Sequence, residues 1–356
     1  MQYYMHSFLT SQPDLNLHNP AVQAALLDTV RFWLDRGVDG FRLDAVNHYF
    51  HDAKLRDNPP RPPSGAHDVP ETNPYGFQEH LYDKTQPENL AFLGKLRALL
   101  ADYPGRIALG EVGDGDRSPA TVGLYTSGER LHCCYTFDLF GPEFDPAHFR
   151  AVFARFGTAA EEGRVCWSFS NHDVMRHVSR WTKPGDDPAA IARLAIELLV
   201  SLKGPVCLYQ GEELGLTEAE LAFEDLRDPY GIRFWPAFKG RDGCRTPMPW
   251  EAAAPHAGFT SGKPWLPIPE AHRAAAVDAQ ADGSVLALYR AAIALRKAHP
   301  ALTEGTIRFV DAPKDVLAFE RSAPGETLLC LFNFARTPVR WKGVTLPPLG
   351  SARLPS

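Results

Sequence analysis

The chain has 356 residues, which is enough for one large domain and a small one, and 44% of them are hydrophobic. Its formal net charge is −6 and it has no basic tract, which argues against nucleic acid as a partner. No apolar run approaches the roughly 18 residues that span a bilayer, and the N-terminus lacks a signal-peptide pattern. We therefore expect no membrane association and a cytoplasmic location, with the six cysteines as buried, reduced thiols.

Predicted helices and short apolar strands alternate along the first 300 residues. Asn19 and Pro20 are typical of a helix start, and the helix they begin ends at Gly37, directly before a strand at 38–44. The same unit recurs, with predicted helices at 87–102, 146–157, 187–202 and 284–298 and predicted strands at 106–109, 131–138, 164–169 and 205–209. Alternating strands and helices predict an α/β protein with a parallel sheet.

Two architectures fit five such strands, namely part of a (β/α)8 barrel and an open doubly wound sheet. We favour the barrel because polar clusters follow the C-terminal ends of the strands, where barrel enzymes carry their catalytic groups. Two long segments, 49–86 and 211–270, are predicted to be functional loops. Strand patterns after Pro300 predict a small all-β domain, so the predicted domains are 1–299 and 300–356.

Three predicted strand ends carry carboxylates. Arg42 and Asp44 are two residues apart on a strand, so they share a face, where the arginine favours the ionised carboxylate. Glu111 ends an apolar strand, and such surroundings can raise a carboxyl pKa enough for proton donation near neutral pH. His172 and Asp173 follow a third strand.

Each of these segments also has an ordinary structural interpretation. The alternatives are a structural Arg–Asp pair, a surface glutamate, and a metal-ligand pair or helix N-cap at 172–173. Taken together, however, carboxyl groups that face one bond are what glycoside hydrolysis requires. A separation of about 5–5.5 Å between them would give retention of configuration through a covalent glycosyl-enzyme.

Four segments in order resemble motifs of the family 13 glycoside hydrolases, the α-amylase family. They are GFRLDAVNH at 40–48, LGEV at 109–112, FSNHD at 169–173 and GPVCLYQGEELGL at 204–216. In addition, QPDLN at 12–16 and RDGCRTPMPW at 241–250 are similar to the α-glucosidase and oligo-1,6-glucosidase branch. The resemblance implies a (β/α)8 barrel with strands 4 to 8 present and strands 1 to 3 absent, followed by a C-terminal all-β domain.

The resemblance also implies roles for individual residues. Asp44 would be the nucleophile, Glu111 the general acid/base, and Asp173 the third catalytic carboxylate. The residues implied to bind substrate are Arg42, His172 and Arg241. Ala45, directly after the nucleophile, resembles enzymes that act on α-1,4 links, whereas valine at this position goes with α-1,6 specificity.

We therefore expect a retaining α-glucosidase that acts on terminal α-1,4 bonds of short oligosaccharides such as maltose, with transglucosylation as a further outcome. The alternatives are a sucrose-acting or trehalose-forming enzyme of the same family and an inactive, truncated sugar-binding paralogue. A non-catalytic transporter subunit is disfavoured because the three carboxylates are present. The expected partner is a small α-glucoside. No cofactor is expected, and any calcium or monovalent-ion site is assigned to an N-terminal part outside this sequence.

Family members carry three βα units and a DxxxNH motif ahead of the strand-4 motif, whereas this sequence begins just before QPDLN. We favour a sequence that is part of a longer protein over a shortened paralogue with another fold. A barrel without three strands exposes parallel sheet edges. We therefore expect low stability and little activity from residues 1–356 alone.

Overall fold

The computed structural model describes residues 3–62, 73–160 and 163–355. The chain divides into two compact units, of which the first comprises Met1–Asp138 and Ala154–Cys166 and the second comprises Leu139–Phe153 and Trp167–Ser356. The domain boundary expected between residues 299 and 300 stays a prediction.

The first unit is built on a parallel sheet of three strands. Their order is β1 (Gly40–Leu43), β2 (Ile107–Val112) and β3 (Cys133–Thr136). Helix α1 (Pro20–Asp35) precedes β1, while α2 (Glu88–Ala101) and α3 (Ser118–Thr126) lie in the chain between successive strands. This succession of helix and parallel strand is the α/β pattern predicted from the sequence.

The start of α1 is the one predicted from Asn19 and Pro20. The Asn19 side chain accepts a hydrogen bond from the amide of Ala21, and Pro20 occupies the first helical position. Such a cap is worth about 1 kcal/mol because it satisfies an amide that has no partner within the helix. The buried face of the neighbouring α2 is apolar and includes Leu93 and Leu96.

Two of the five predicted parallel strands are short bridges in the structure. In the first unit Val165 pairs with Cys134, and in the second unit Trp167 pairs with Val206, both in parallel orientation. Pro205 lacks an amide hydrogen, and Gly204 adopts a φ of 101°, so neither residue favours a regular strand at this point.

The second unit contains the remaining helices, with α4 (Pro146–Ala159) contributing residues to both units. These helices are α5 (His177–Trp181), α6 (Pro188–Leu199), α7 (Pro229–Phe234), α8 (Glu270–Ala274), α9 (Val285–Ala298) and α10 (Pro300–Thr303). Helices α6 and α9 share a buried apolar cluster that includes Ile196, Val200 and Tyr289. At about 25 cal/mol per Å² of buried apolar surface, such contacts dominate the packing free energy.

The predicted all-β segment after Pro300 is an antiparallel sheet, and this prediction is confirmed. Its strands are β4 (Thr306–Phe309), β5 (Val316–Ala323), β6 (Glu326–Asn333) and β9 (Ser351–Pro355), with β7 (Val339–Trp341) and β8 (Val344–Leu346) forming a separate hairpin. Lys342 and Gly343 join the hairpin with φ of 47° and 79°, as a tight two-residue turn requires.

Both predicted long loops contain little regular structure where the chain is described. In the segment 49–86, residues 63–72 lie outside the described residues, and the rest contains a short 3-10 helix at Pro74–Phe77. The segment 211–270 contains several 3-10 turns and the single-turn helix α7. Within the described ranges, every helix is too short or too polar to cross a membrane.

Candidate active site

The C-terminal ends of β1 and β2 bring two of the predicted carboxylates together in the first unit. The register pairs Leu43 with Gly110, so Asp44 and Glu111 occupy neighbouring positions just beyond that pair. Parallel strands end at the same edge of a sheet, which is why residues 67 positions apart meet here. The side chain of Asp44 is 76% exposed, whereas that of Glu111 is 7% exposed.

Arg42 joins the two carboxylates. One terminal nitrogen of its guanidinium group, Nη1, contacts Oδ1 of Asp44, and the other, Nη2, lies 2.5 Å from Oε1 of Glu111. An exposed ion pair such as Arg42–Asp44 contributes about 0–1 kcal/mol to stability. The planar fork of the arginine therefore matters here mainly for orientation, because it fixes where two carboxylates point at once.

Glu111 is held by two groups that the sequence analysis did not single out. The hydroxyl group of Tyr135 donates to Oε1 of Glu111 across 2.6 Å and accepts a hydrogen bond of 2.7 Å from Nη2 of Arg42. The amide of Ala45 donates to Oε2 across 3.0 Å. Burial raises the pKa of Glu111, and the hydrogen bonds from Tyr135 and Ala45 and the charge of Arg42 offset only part of that rise.

The sequence pattern around Tyr135 and Ala45, the two residues not singled out, gives only a weak indication of their contacts with Glu111. Tyr135 lies on β3 directly opposite Glu111 in the register, but a tyrosine in an apolar strand is more often part of a core. Ala45 adopts a left-handed backbone conformation, with φ of 40° and ψ of 49°. This conformation is uncommon for a residue with a Cβ, and the side chain of alanine indicates neither the conformation nor the hydrogen bond that its amide makes.

In the second unit, His172 and Asp173 meet two arginines from the long loop at 211–270. Oδ1 of Asp173 accepts hydrogen bonds of 2.9 Å from both Arg241 and Arg245. Nε of Arg245 also donates to the backbone oxygen of His172 across 2.6 Å. The other carboxylate oxygen of Asp173, Oδ2, lies 3.4 Å from Nε2 of His172.

A fourth acidic residue, Asp228, supports this cluster and was also missed. It is fully buried, and its carboxylate makes two hydrogen bonds of 2.9 Å with the guanidinium group of Arg241. Asp228 precedes a proline in a loop, so its sequence suggests a helix cap, and it does cap α7. That pattern gives no indication of a charged partner 13 residues further on.

The structure therefore groups the predicted site residues in two sets. Arg42 contacts both Asp44 and Glu111 in the first unit, and His172, Asp173 and Arg241 lie together in the second. Asp173 does not cap α5, whose N-cap position is Arg176. Among the described residues, no three His, Cys, Asp or Glu side chains are gathered as a metal site would need. The expectation of no cofactor stays a prediction.

A sequence model of the alpha-amylase catalytic domain matches residues 1–305 of the chain. The chain belongs to the alpha-amylase family. The resemblance seen in the four motifs is thereby confirmed, as is the inference that the chain contains an alpha-amylase-type catalytic domain followed by an antiparallel sheet.

Individual members of the alpha-amylase family are also similar to the chain. A probable alpha-glucosidase of Rhizobium meliloti is 55% identical over 94% of this chain and 62% of its own length. An oligo-1,6-glucosidase of Parageobacillus thermoglucosidasius is 29% identical over 95% of this chain and 64% of its own length. The crystal structure of an alpha-glucosyl transfer enzyme, XgtA, is also similar, with 52% sequence identity and a TM-score of 0.91. The match covers 99% of this chain and 69% of the XgtA chain. The chain thus spans somewhat less than two thirds of these two curated relatives.

Proposed function

We propose that the chain carries the catalytic machinery of a retaining α-glucosidase acting on terminal α-1,4 bonds of short α-glucosides. One observation carries the proposal, namely that the guanidinium group of Arg42 contacts both Asp44 and Glu111. Two carboxylates within reach of one guanidinium group are compatible with the separation of about 5–5.5 Å that retaining glycosidases use. The similarity to a probable alpha-glucosidase supports the choice of substrate class.

The two carboxylates differ in the way the two roles demand. Asp44 is exposed and faces an arginine, so we assign to it the attack on the anomeric carbon, which forms a glycosyl ester. Glu111 is buried and its pKa is raised, which favours the protonated form that a general acid needs. In the first step Glu111 gives its proton to the departing glycosidic oxygen as the bond to the anomeric carbon breaks.

In the second step Glu111 acts as a general base and Asp44 as the leaving group. Ionised Glu111 takes a proton from a water molecule, whose oxygen attacks the anomeric carbon and releases Asp44. An alcohol group of a second sugar in place of water would give transglucosylation, and the similarity to an alpha-glucosyl transfer enzyme supports this outcome. We assign sugar binding to His172 and Arg241 and stabilisation of the transition state to Asp173.

In the fold that we propose, β1 corresponds to the fourth strand of a (β/α)8 barrel, and β2 and β3 correspond to the fifth and sixth. The bridged segments at Val165–Trp167 and Val206 then correspond to the seventh and eighth strands. Ala45 supports action on α-1,4 rather than α-1,6 bonds, and we keep the cytoplasm as the proposed location.

The nucleophile is tested by trapping rather than by turnover, because a trap needs a single reaction per molecule. A 5-fluoro-α-glucosyl fluoride transfers its sugar to the nucleophile of a retaining α-glucosidase. The ester formed in this way is hydrolysed only slowly, so the labelled protein accumulates. Mass spectrometry of proteolytic peptides is expected to find the label on Asp44, and on no peptide of the Asp44→Asn variant. Asp39→Asn, at another aspartate of the same unit, is the matched control and should label normally. A label elsewhere, or none, contradicts the assignment.

Stereochemistry is tested with p-nitrophenyl α-glucoside, which contains a single sugar, and bond preference with natural disaccharides. Proton NMR of p-nitrophenyl α-glucoside hydrolysis is expected to show α-glucose before the β anomer grows in by mutarotation, and initial release of β-glucose would overturn retention. Rates on maltose are expected to exceed those on isomaltose, and the reverse order would contradict the α-1,4 assignment. Products larger than maltose at high substrate concentration would identify transglucosylation.

A further inference from the structure

Asp228 is a buried acidic residue of the second unit whose two carboxylate oxygens both accept hydrogen bonds from one arginine. Its side chain is 0% exposed, and its Oδ1 and Oδ2 accept hydrogen bonds of 2.9 Å from Nη2 and Nε of Arg241. Oδ2 also accepts the backbone amide of Arg241 at 2.9 Å. The arginine is therefore held at both its backbone and its side chain.

A second buried carboxylate fixes Asp228 in turn. Oδ2 of Asp242 accepts the amide hydrogens of Arg227 at 2.6 Å and of Asp228 at 2.7 Å. The two chain segments also cross without room for side chains, since a Cβ on Gly240 would lie 2.7 Å from the Cα of Gly231. This crossing leaves the carboxylate of Asp228 little freedom to follow a moving partner.

The orientation of Arg241 leaves one terminal nitrogen for the candidate active site. With Nε and Nη2 bound to Asp228, Nη1 donates to Oδ1 of Asp173 across 2.9 Å. Burial alone would raise the pKa of the Asp228 carboxyl, but the hydrogen bonds and charge of Arg241 lower it below its usual value. Asp228 is thus a charged partner of Arg241 and not a neutral one.

We infer that Asp228 is a positioning residue for the reaction, because it holds Arg241 in the orientation that lets Arg241 fix Asp173. The inference rests on the proposed function, in which Asp173 stabilises the transition state. A guanidinium group without this partner can rotate, and it can pair with Asp173 through either edge. Asp228 contacts Arg241 and not the reacting atoms, so its effect on the rate passes through Arg241.

A double-mutant cycle in the full chain tests this path. The substitution Asp228→Ala is expected to lower kcat on p-nitrophenyl α-glucoside by about 10- to 100-fold, the range for a lost charged hydrogen bond, with a smaller change in KM. In the Arg241→Ala background the same substitution should change kcat by less than about 2-fold. If the fold-reductions in kcat caused by the two single substitutions multiply in the double variant, the inference is overturned.

Two further variants serve as controls. The kcat of the isosteric Asp228→Asn, which keeps one acceptor, is expected to lie between those of the wild type and Asp228→Ala. Glu224→Ala, which removes an exposed acid of the same loop, should leave kcat unchanged.

A second readout separates this inference from the proposed function. The NMR signal of the Arg241 Nε–H, assigned by its loss in Arg241→Ala, is expected to exchange slowly with solvent in the wild type. It should exchange fast in Asp228→Ala and stay slow in Glu224→Ala. If the wild-type chain hydrolyses no α-glucoside, the proposed function fails, while this difference still supports positioning. Equal exchange rates in the wild type and Asp228→Ala would overturn the inference.

Discussion

The hydroxyl group of Tyr135 donates a hydrogen bond of 2.6 Å to Oε1 of Glu111. An acceptor carboxylate is favoured in its ionised form, so this bond lowers the pKa that burial of Glu111 raises. Tyr135 is therefore placed to adjust the pH range over which Glu111 holds its proton.

The substitution Tyr135→Phe removes this hydrogen bond and keeps the ring. The pKa of Glu111 is expected to rise further, because the ionised form loses a donor while burial is unchanged. A general acid is active when protonated, so the alkaline limb of the profile of kcat/KM against pH should move to higher pH. Tyr103→Phe is the control, because its hydroxyl group donates to an exposed carboxylate, that of Asp35, elsewhere in the first unit. A profile of Tyr135→Phe that coincides with the wild type would contradict the prediction.

Arg42→Lys is expected to reduce kcat/KM by about 10- to 100-fold, because one ammonium group cannot replace a fork that contacts Asp44, Glu111 and Tyr135 together. The thermal midpoint should change little, since lysine keeps a positive charge beside the buried Glu111 and the Arg42–Asp44 pair is exposed. Steady-state kinetics and thermal unfolding are measured side by side. Arg340→Lys, at an exposed position of β7, serves as the control and should retain full activity. An Arg42→Lys variant as active as the wild type would contradict the orienting role of Arg42.

The stabilisation that protonated Glu212 gives the native state is expected to be lost as pH rises from about 4.5 to about 8. Burial raises the pKa of Glu212 from 4.5 to about 8, and its carboxylate lies 3.8 Å from the buried His177. At Glu212 the native state therefore binds more protons than the unfolded state in this window, and this one group lowers the unfolding free energy by about 1.4 kcal/mol per pH unit at most.

The contribution of Glu212 is isolated by comparing variants in urea unfolding at pH 5 and pH 8. In Glu212→Gln the unfolding free energy at pH 8, relative to that at pH 5, should be higher than in the wild type, because an amide stays neutral at both. The neighbouring Glu213→Gln should keep the difference of the wild type. An unchanged difference in Glu212→Gln would mean that another group causes the pH dependence.

Gly110→Ala is expected to destabilise the first unit by about 1–3 kcal/mol, the usual cost of overpacking a core. An added Cβ would lie 2.8 Å from Sγ of Cys134 and from Cδ1 of Leu131. Gly157→Ala is the matched control, because this helical glycine has open space around its Cβ position and should become more stable by about 0.5–1 kcal/mol. Urea unfolding measures both. Equal effects of the two substitutions would show that β2 can move to accept a methyl group.

Sequence patterns predicted the elements whose cause is local. The cap of α1 at Asn19 and the alternating strands of the C-terminal sheet both follow from residue types within a few positions. The closeness of Asp44 and Glu111 could also be predicted, because parallel strands end at a common edge and the register brings those ends together.

The contacts that escaped prediction depend on partners far apart in the chain or on backbone angles. Tyr135 is 24 residues from Glu111, and its importance follows only from the register of β2 and β3. Asp228 meets Arg241 because two loop segments cross at glycines. The segments 164–169 and 205–209, predicted as strands, form only isolated bridges in the structure. Apolar composition does not reveal whether successive backbone amides find hydrogen-bond partners on a neighbouring strand.

The bond from Ala45 to Glu111 is made by the main chain, and that has an evolutionary consequence. Exchanging the methyl group of Ala45 for another side chain alters what a substrate meets beside Asp44, yet the amide that supports Glu111 stays in place. Under the proposed function, substrate preference can therefore change at this position while Glu111, the proposed proton donor, keeps its hydrogen bond. Proline is excluded from that freedom because it has no amide hydrogen to give, and a β-branched residue such as valine occupies the position at the highest cost in backbone strain, because it disfavours the left-handed conformation.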